Sequence, residues 1–589
     1  MKIKNSFLPV WALAVSLLFT ACHDDVEVTP EPTPEPADMV ITGNIYVGDD
    51  AQTYAEALAI KDGKIVFCGT EKDAQAYIGA STTVQALKAN QLVVPGMIDA
   101  HTHAAVCWDS QLNAAQIPFG VSQDSCLHVI ADYVKANPNK AYYKARGWIG
   151  SAFDNQCPTA KLLDELLVDG KPIDKPILAT SSDGHSVWCN TAMMELAGID
   201  ASTEAPAGGT IEKYKDGTPN GCFRDNATVL PQRALPDPTA EDMIDPIKSA
   251  QDEYSSLGYT AYNESMINES SNLYLVPKLE AYEQLDKAGA LKTYVQGAFI
   301  LSNRDDVFDL LDLAIKFKES TQGGDFEVTD VKIFMDGVVE GGTAYLSEPY
   351  ANDSTYYGAS SWSTAADLER LTEIIVKANT AGLTVHFHAI GDQASMNAIS
   401  CVEKAKQQIG DKVNACRNVI THLQIVNSGS YQKMKDLGIV ANLNPWCCKE
   451  PGFYEETEVA MLGPVRAANE YPIKTFLDKG VNCSFGTDYG SSFTYLPGSC
   501  LSVLVNRTSP NGGMETQLNP SECITPQQAL GLMTSGSAWQ LHQEDNFGTL
   551  EVGKYANLVV LNQNIMTIQT TDLANTTADK VMYKGKWTK

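Results

Sequence analysis

A short apolar run that ends in two histidines constrains the fold of this chain more than any other segment. Residues 92–103 read LVVPGMIDAHTH, and a Pro-Gly pair interrupts the run before His101 and His103. Side chains two positions apart along a β-strand point to the same face, so these two imidazoles would project together. Such a pair could grip one metal ion, although many histidine pairs are only surface or hydrogen-bonded residues. The run predicts a metal-bearing strand end only if other segments supply further ligands.

The composition is that of an ordinary globular protein with a strongly acidic surface. The chain has 589 residues, 44% of them hydrophobic, which suffices for one large domain with an appendage or for two or three domains. The formal net charge of −29 argues against nucleic acid and anionic membrane surfaces as partners, because both carry negative charge themselves. The charge says little about the substrate, and nothing in the composition indicates an oligomeric state.

The N-terminal segment reads as an export signal followed by a tether. Two lysines precede an apolar stretch in residues 1–21, and this stretch is too short for a convincing membrane span. The signal ends in Phe-Thr-Ala before Cys22, as in a bacterial lipobox, so Cys22 is predicted to be lipidated; the alternative is a secretory signal with an incidental cysteine. The acidic residues that follow resemble the export signal of bacterial surface lipoproteins. We therefore expect an outer-membrane lipoprotein on the periplasmic or cell-surface side, which contacts the membrane only through its anchor. Residues 22–38 form a stiff, proline-rich tether.

The rest of the chain is predicted to form a barrel and a separate small domain built from both ends of the chain. Residues 39–93 and 546–589 alternate short apolar runs with turns, which predicts one small β-sandwich formed by both ends. Residues 94–545 repeat a strand-then-helix pattern, which indicates a (β/α)₈ TIM-like barrel. The gap after the first strand is too long for a simple crossover, so residues 107–240 are predicted to be an inserted subdomain over the barrel mouth. The predicted strands lie near 94–103, 258–264, 292–300, 330–336, 383–390, 417–425, 438–445 and 481–488.

Metal-ligating residues recur at the predicted strand ends, where barrels of this kind place their active sites. Five of the nine histidines fall on three strand ends, a lysine lies on the fourth strand, and an aspartate closes the eighth. Taken singly, His422 could be a satisfied core histidine, Lys332 a salt-bridge partner and Asp488 a turn or N-cap residue. Taken together they predict a metal site. The candidate ligands are His101, His103, Lys332, His388, His422 and Asp488. His388 is preferred to His386, because His388 lies nearer the strand end.

The chain resembles the amidohydrolase superfamily, specifically its family-3 branch, which includes N-substituted formamide deformylase-like enzymes. The resemblance runs from about residue 39 to the C-terminus. It is carried by PGMIDAHTH, RGW at 146–148, SSDGHSVWCNTAMMELAGI at 181–199, GGTIEKYKDGTPNG at 208–221, VKIFMDG, HAIGDQA at 388–394, THLQIV, FGTDY, and the tail from ITPQQALGLM to KYANLVVL. The branch usually has an acidic residue where this chain has Ile149, a departure that could reshape the substrate pocket.

The resemblance implies a role for each candidate residue. His101 and His103 would bind the inner metal with Asp488, and Lys332, carboxylated on its amine, would bridge to a second metal held by His388 and His422. One or two divalent ions would be bound, with zinc favoured over manganese or iron by imidazole and carboxylate ligands. A metal-bound hydroxide would attack the scissile carbonyl, with Asp488 as general base and then acid. His185 would stabilise the developing oxyanion, and the alternative for His185 is a structural hydrogen bond within the insertion.

The sequence therefore predicts a metal-dependent hydrolase of an amide-type C–N bond in a small molecule. A second enzymatic interpretation is hydrolysis of an ester, a carbamate or a lactam. An interpretation from another class is a catalytically silent surface lipoprotein that binds a small ligand, which the intact ligand set argues against. Trp446 and Cys447, which follow the seventh strand, are expected to line the cavity mouth and to influence specificity; the alternative for Trp446 is packing between a loop and the insertion.

Overall fold

The computed structural model describes residues 34–118, 120–154, 157–182, 186–206, 209–268, 272–492 and 494–589. The predicted signal peptide, Cys22, most of the tether and His185 lie outside these ranges. None of the helices in the described ranges is long and apolar enough to cross a membrane.

Eight parallel strands form a nearly closed barrel, which confirms the predicted TIM-like fold. In chain order each strand pairs with the next one. They are β1 Met97–Thr102, β2 Tyr259–Glu264, β3 Tyr294–Leu301, β4 Phe326–Phe334, β5 Thr384–Ala389, β6 Val419–His422, β7 Val440–Leu443 and β8 Cys483–Phe485. The eighth and first strands meet where the backbone N–H of Asp488 donates to the carbonyl oxygen of His101, at 2.8 Å.

Most residues of the barrel strands are buried, because both faces of each strand are covered. All eight residues of β3 are buried, as are all six of β5. Parallel sheets require this, since helices cover the outer face while side chains fill the inner one. The fourth strand begins four residues before its predicted start, whereas the eighth ends early, because Asp488 adopts a left-handed backbone conformation (φ 54°) that leaves the strand path.

Amphipathic helices cover the outside of the barrel. One of these helices spans Ala365–Thr380 and begins at a capping box, in which Thr364 and Asp367 each satisfy a backbone N–H of the first turn. The other long helices are Ala104–Asn113, Ala240–Leu257, Pro277–Lys287, Val307–Ser320, Asp392–Ile409, Ser430–Leu437, Ile473–Lys479 and Pro497–Asn506. Shorter helices are Ala460–Leu462, Pro464–Ala467, Pro526–Gly531 and Ser537–Gln540, with π-helical turns at Tyr454–Val459 and Leu532–Gly536.

The two ends of the chain combine in one mixed sheet of eight strands beside the barrel. The join is the antiparallel pair of Leu92–Pro95 with Leu558–Leu561, in which Val94 faces Val559. A core that includes Ile41, Leu58, Val93 and Leu558 holds the sheet together. The remaining strands are Met39–Tyr46, Tyr54–Lys61, Lys64–Gly69, Thr83–Ala86, Ala578–Tyr583 and Lys586–Trp587.

The segment between β1 and β2 builds a separate six-stranded sheet with its own apolar core. Its strands are Ala114–Gln116, Tyr143–Trp148, Ile177–Ser181, Ser186–Cys189, Gly209–Lys213 and Pro219–Asp225. The helix Gln123–Ala136 packs against this sheet through residues such as Cys126 and Ile130. Two residues of the inserted segment, Arg146 and Ser182, line the same cavity as the ends of the barrel strands. The insertion therefore contributes to the wall of that cavity.

Candidate metal centre

The carboxyl ends of the barrel strands open into one cavity of about 470 Å³. The structure brings all six candidate ligands into its lining, although they come from positions as far apart as 101 and 488. They are His101, His103, Lys332, His388, His422 and Asp488. The parallel register explains this, because the strand ends of a barrel meet at the same rim.

The first pair of histidines converges on Asp488. The Nε2 atoms of His101 and His103 lie 3.4 and 3.3 Å from Oδ1 of Asp488. The ligand atoms of His101, His422 and Asp488 all lie within 4.8 Å of one another, a spacing suited to a single ion. The turn after β8 thus places the carboxylate of Asp488 over the carboxyl end of β1.

His101 is held from behind by residues that do not line the cavity. Its Nδ1 lies 3.0 Å from Nε2 of His386 and 3.0 Å from Oγ of Ser265. His386 in turn has its Nδ1 3.4 Å from Oδ2 of Asp330, and both residues are fully buried. This arrangement orients the His101 ring with Nε2 towards the cavity. It also separates the two histidines of β5: His388 lines the cavity, whereas His386 supports another candidate ligand.

Lys332 lies on β4, directly opposite His386 of β5 in the strand register, and is 1% exposed. Its Nζ is 3.4 Å from Nε2 of His101 and 5.2 Å from the centroid of the Phe334 ring. Burial lowers the pKa of Lys332 to about 7, although Asp488 and Asp330 partly oppose this effect. A neutral amine is therefore accessible near neutral pH, as carboxylation of the amine requires.

His388 and His422 face each other on neighbouring strands, with ring centroids 4.5 Å apart. Nε2 of His388 lies 3.1 Å from the carbonyl oxygen of Gly337, and Nδ1 of His422 lies 2.9 Å from Oδ1 of Asn444. Burial lowers the pKa of His388 to about 4 and that of His422 well below its ordinary value, so both imidazoles are neutral at neutral pH. Neutral imidazole is the form that binds metal.

Asp488 is buried but remains a carboxylate. Burial alone would raise its pKa, but the His101 and His103 imidazoles beside it hold the pKa well below its ordinary range. Its backbone lies in the left-handed region, as does that of His422, where non-glycine residues are uncommon. Both residues are thus held in conformations that the surrounding structure must enforce.

The donor set fits a divalent metal ion. Four imidazoles, one carboxylate and a buried amine converge, and imidazole with carboxylate suits zinc. The buried Nδ1 of His103 has no hydrogen-bond partner among the described residues, so the orientation of this ring is fixed on its Nε2 side, beside Asp488.

The remaining residues singled out from the sequence differ in where the structure places them. Trp446 lines the cavity, as expected, but Cys447 is buried in the main core and its Sγ lies 3.7 Å from the carbonyl oxygen of Val503. His185 and Cys22 lie outside the described residues, so their roles stay predictions. Sequence reasoning missed the supporting residues Ser265, Asp330 and Asn444, and the position of Asp330 two residues before Lys332 on the same face was the available signal.

Comparisons with known proteins agree with this geometry. The profile of the Amidohydrolase family matches residues 89–588. The N-substituted formamide deformylase of Arthrobacter pascens is 26% identical over 557 residues, covering 91% of this chain and 95% of the relative. The Bacillus subtilis protein YtcJ, named as an amidohydrolase, is 26% identical over 546 residues, covering 92% and 98%. The structure of a metal-dependent hydrolase from Pyrococcus horikoshii superposes with a TM-score of 0.71 at 22% identity, covering 90% of this chain and 99% of that one.

Proposed function

Because the chain belongs to the amidohydrolase family, we propose that it hydrolyses an amide-type C–N bond of a small molecule. The chain is a metal-dependent hydrolase of the amidohydrolase type. Our proposal concerns the bond that it cleaves, the role of each residue and the class of substrate. The observation that carries the proposal is the convergence of six metal-ligating side chains in one largely buried cavity. The deformylase relative acts, by its name, on N-substituted formamides, which supports an amide bond over the ester, carbamate and lactam alternatives.

The chain's own residues would hold the metal and position it. His101, His103 and Asp488 would hold one divalent ion, and His388 and His422 a second, with carboxylated Lys332 shared between them. Zinc bound here would supply Lewis acidity, which lowers the pKa of water and polarises the scissile carbonyl. To form the carbamate, the neutral Lys332 amine adds to carbon dioxide and releases one proton, so that two oxygen donors replace the amine.

Asp488 would move the proton. As a carboxylate at neutral pH, it can accept a proton from the attacking water as the water oxygen bonds to the carbonyl carbon. When the C–N bond breaks, Asp488 delivers that proton to the leaving nitrogen, which leaves an acid and an amine. We further propose that His185 stabilises the oxyanion during this step. Replacing His185 with Asn should then lower kcat by about 10²-fold without changing metal content.

The test is a screen of N-formyl, N-acyl and cyclic amides with zinc-loaded protein, with matched esters and carbamates as the competing arms. Asp488→Asn should lower kcat on any amide substrate by about 10³-fold, because general acid–base catalysis contributes ~10²–10⁴. Asp478→Asn, a change at an exposed helix position, serves as the control. A silent binding protein would hold a ligand without turnover, and no compound would then react faster with the native protein than with the Asp488→Asn variant.

We also propose that the protein is an exported lipoprotein anchored through Cys22. The motif that ends at Cys22 supports this proposal, and the acidic tether would hold the barrel away from the membrane. In a bacterial host, the native chain should partition into the detergent phase and incorporate labelled palmitate. Cys22→Ala should do neither. Export of both forms in soluble, unlabelled form would favour a plain secretory signal instead.

A further inference from the structure

One wall of the cavity differs in chemistry from the end that holds the candidate ligands. It consists of Glu458, Trp446, Phe453 and Tyr471, which we call the acidic wall. These residues come from the chain between β7 and β8, not from strand ends. The wall therefore combines one carboxylate with three aromatic rings beside the proposed reaction centre.

Glu458 is placed in the wall by an unusual backbone. It lies in the π-helical turn Tyr454–Val459. This conformation is rare in proteins overall, and where it occurs it is often at a functional site. The residue is only 6% exposed, yet its side chain forms part of the cavity lining. Its donor among the described residues is Nε2 of Gln424, at 3.3 Å. The charged form of a carboxyl group with one long hydrogen bond is poorly compensated for its burial.

A second carboxyl group lies behind Glu458 and is also incompletely paired. Glu470 is fully buried, and the same Nε2 of Gln424 donates to its Oε1 at 2.5 Å. Its Oε2 has no hydrogen-bond partner among the described residues. Burial, followed by the neighbouring Glu340, raises the pKa of Glu458 to about 8, and burial with Glu458 raises the pKa of Glu470 well above its ordinary range. Among the described residues, the two buried acids thus share one amide donor, and burial favours their protonated forms; a cation bound beside Glu458 would favour its charged form.

The nearby cations compensate these acids only in part, because Arg507 opposes the rise in the pKa of Glu470 without forming an ion pair with its carboxyl group. The guanidinium of Arg507 is fully buried, and it donates to the carbonyl oxygens of Leu518, Tyr471 and Glu470 rather than to a carboxylate. Arg146 also lines the cavity, and no ion pair among the described residues joins it to Glu458. No ion pair among the described residues involves Glu458 or Glu470. A cation bound at the acidic wall would therefore meet carboxyl groups with which no cation of the described residues forms an ion pair.

Aromatic rings beside a carboxylate form a favourable environment for an organic cation. The faces of Trp, Tyr and Phe attract ammonium and guanidinium groups, most strongly when the cation is desolvated. A carboxylate in the same wall adds charge-assisted hydrogen bonds. An uncharged polar group would have neither the attraction to the aromatic faces nor the charge-assisted hydrogen bond to Glu458.

We propose that the acidic wall binds a positively charged substrate group, an ammonium or a guanidinium, at a distance from the bond that is cleaved. This proposal rests on the proposed function, because the bound group is part of a substrate only if the reaction takes place in the same cavity. It narrows the substrate class to amides that carry a cationic substituent. Glu458 is then a specificity-determining residue and takes no part in the proton transfers assigned to Asp488.

The first experiment measures binding without turnover. Pentylammonium and pentan-1-ol have the same length, and the amine is almost fully protonated at pH 7, so it does not compete as a metal ligand. By calorimetry on zinc-loaded protein, we expect pentylammonium to bind at least about tenfold more tightly than the alcohol. Glu458→Gln should abolish this preference. Glu455→Gln, a change to an exposed residue of the same π-helical turn, should retain it.

The second experiment uses substrates. N-formyl-1,4-diaminobutane and N-formylpentylamine differ only in a terminal ammonium or methyl group. The cationic compound should have the lower KM by about tenfold, and Glu458→Gln should remove that difference while kcat stays within about twofold. Glu470→Gln gives a second, independent variant if Glu458→Gln folds poorly, which circular dichroism would reveal.

The outcomes separate this inference from the proposed function. A binding preference without hydrolysis of any amide would support the acidic wall and contradict the amide chemistry. Hydrolysis of both formamides with equal KM, together with equal binding of amine and alcohol, would overturn the acidic wall alone. A cation preference that survives Glu458→Gln and Glu470→Gln would also overturn it.

Discussion

The polar groups at the two ends of the cavity differ in their hydrogen-bond partners. At the strand ends, His101 has partners in Ser265 and His386, and His422 has one in Asn444. At the acidic wall, Glu458 and Glu470 share a single amide donor. Hydrogen bonds fix a ligand's orientation, whereas buried acids without an ion-pair partner gain from a bound group of positive charge. The first end is thus built to hold an ion in fixed geometry, and the second to recognise a group that the substrate supplies.

The largest loss of metal and activity is expected on replacing Lys332, at the end of the cavity that holds the candidate ligands. Lys332→Ala removes the group proposed to join the two ions, so the purified protein should lose about half of its metal and at least about 10²-fold in kcat. Lys316→Ala, a change at an exposed position of the helix Val307–Ser320, is the control. Metal content by mass spectrometry and single-substrate kinetics provide the measurement. Full metal content and a normal rate in Lys332→Ala would refute the bridge.

A smaller effect is expected from the residues behind the ligands. Asp330→Asn should weaken the orientation of His386 and hence of His101, lowering zinc affinity by about 10–100-fold. The KM of a cationic amide should not change, because Asp330 does not line the cavity. Competition with a fluorescent chelator measures the affinity, and Asp312→Asn, a change to an exposed salt-bridge residue, is the matched variant. An unchanged zinc affinity would show that the buried pair serves stability only.

The smallest effect is expected at the rim of the acidic wall. Trp446→Leu should raise the KM of a cationic amide by roughly fivefold, since an exposed or half-desolvated cation–π contact contributes ~1 kcal/mol. Trp446→Phe should retain most of the affinity, and both variants should bind zinc normally. The steady-state KM for charged and neutral formamides gives the comparison. An equal loss for both compounds would mean that Trp446 only shapes the cavity.

The sequence carried most of the information about the strand ends. The His-x-His run, the lysine of β4 and the aspartate after β8 each follow an apolar strand, and the two-residue period of a strand assigns their faces. Parallel strands in chain order must then gather these residues at one rim. The eight strands and the helix Ala365–Thr380 follow from the same periodicities, with errors confined to their ends.

The sequence preferred His388 to His386 only because His388 lies nearer the end of β5, and the tertiary structure supplies the physical difference between the two. His386 and His388 share a strand face, so the two-residue period alone cannot distinguish them. In the folded barrel, His386 lies deeper, between Asp330 and His101, while His388 reaches the cavity. Depth along a barrel strand depends on the stagger between neighbouring strands, which local sequence does not encode.

The sequence by itself determined the fold class and the identity of the candidate ligands, because both follow from local periodicity and the order of strands. Only the tertiary structure decided that Glu458 and Glu470 meet at Gln424, which precedes them by 34 and 46 residues. Those contacts arise from a π-helical turn and from loops, whose paths depend on packing across the whole barrel. For that reason the chemistry of the proposed reaction was accessible from the sequence, whereas the charge of the proposed substrate was not.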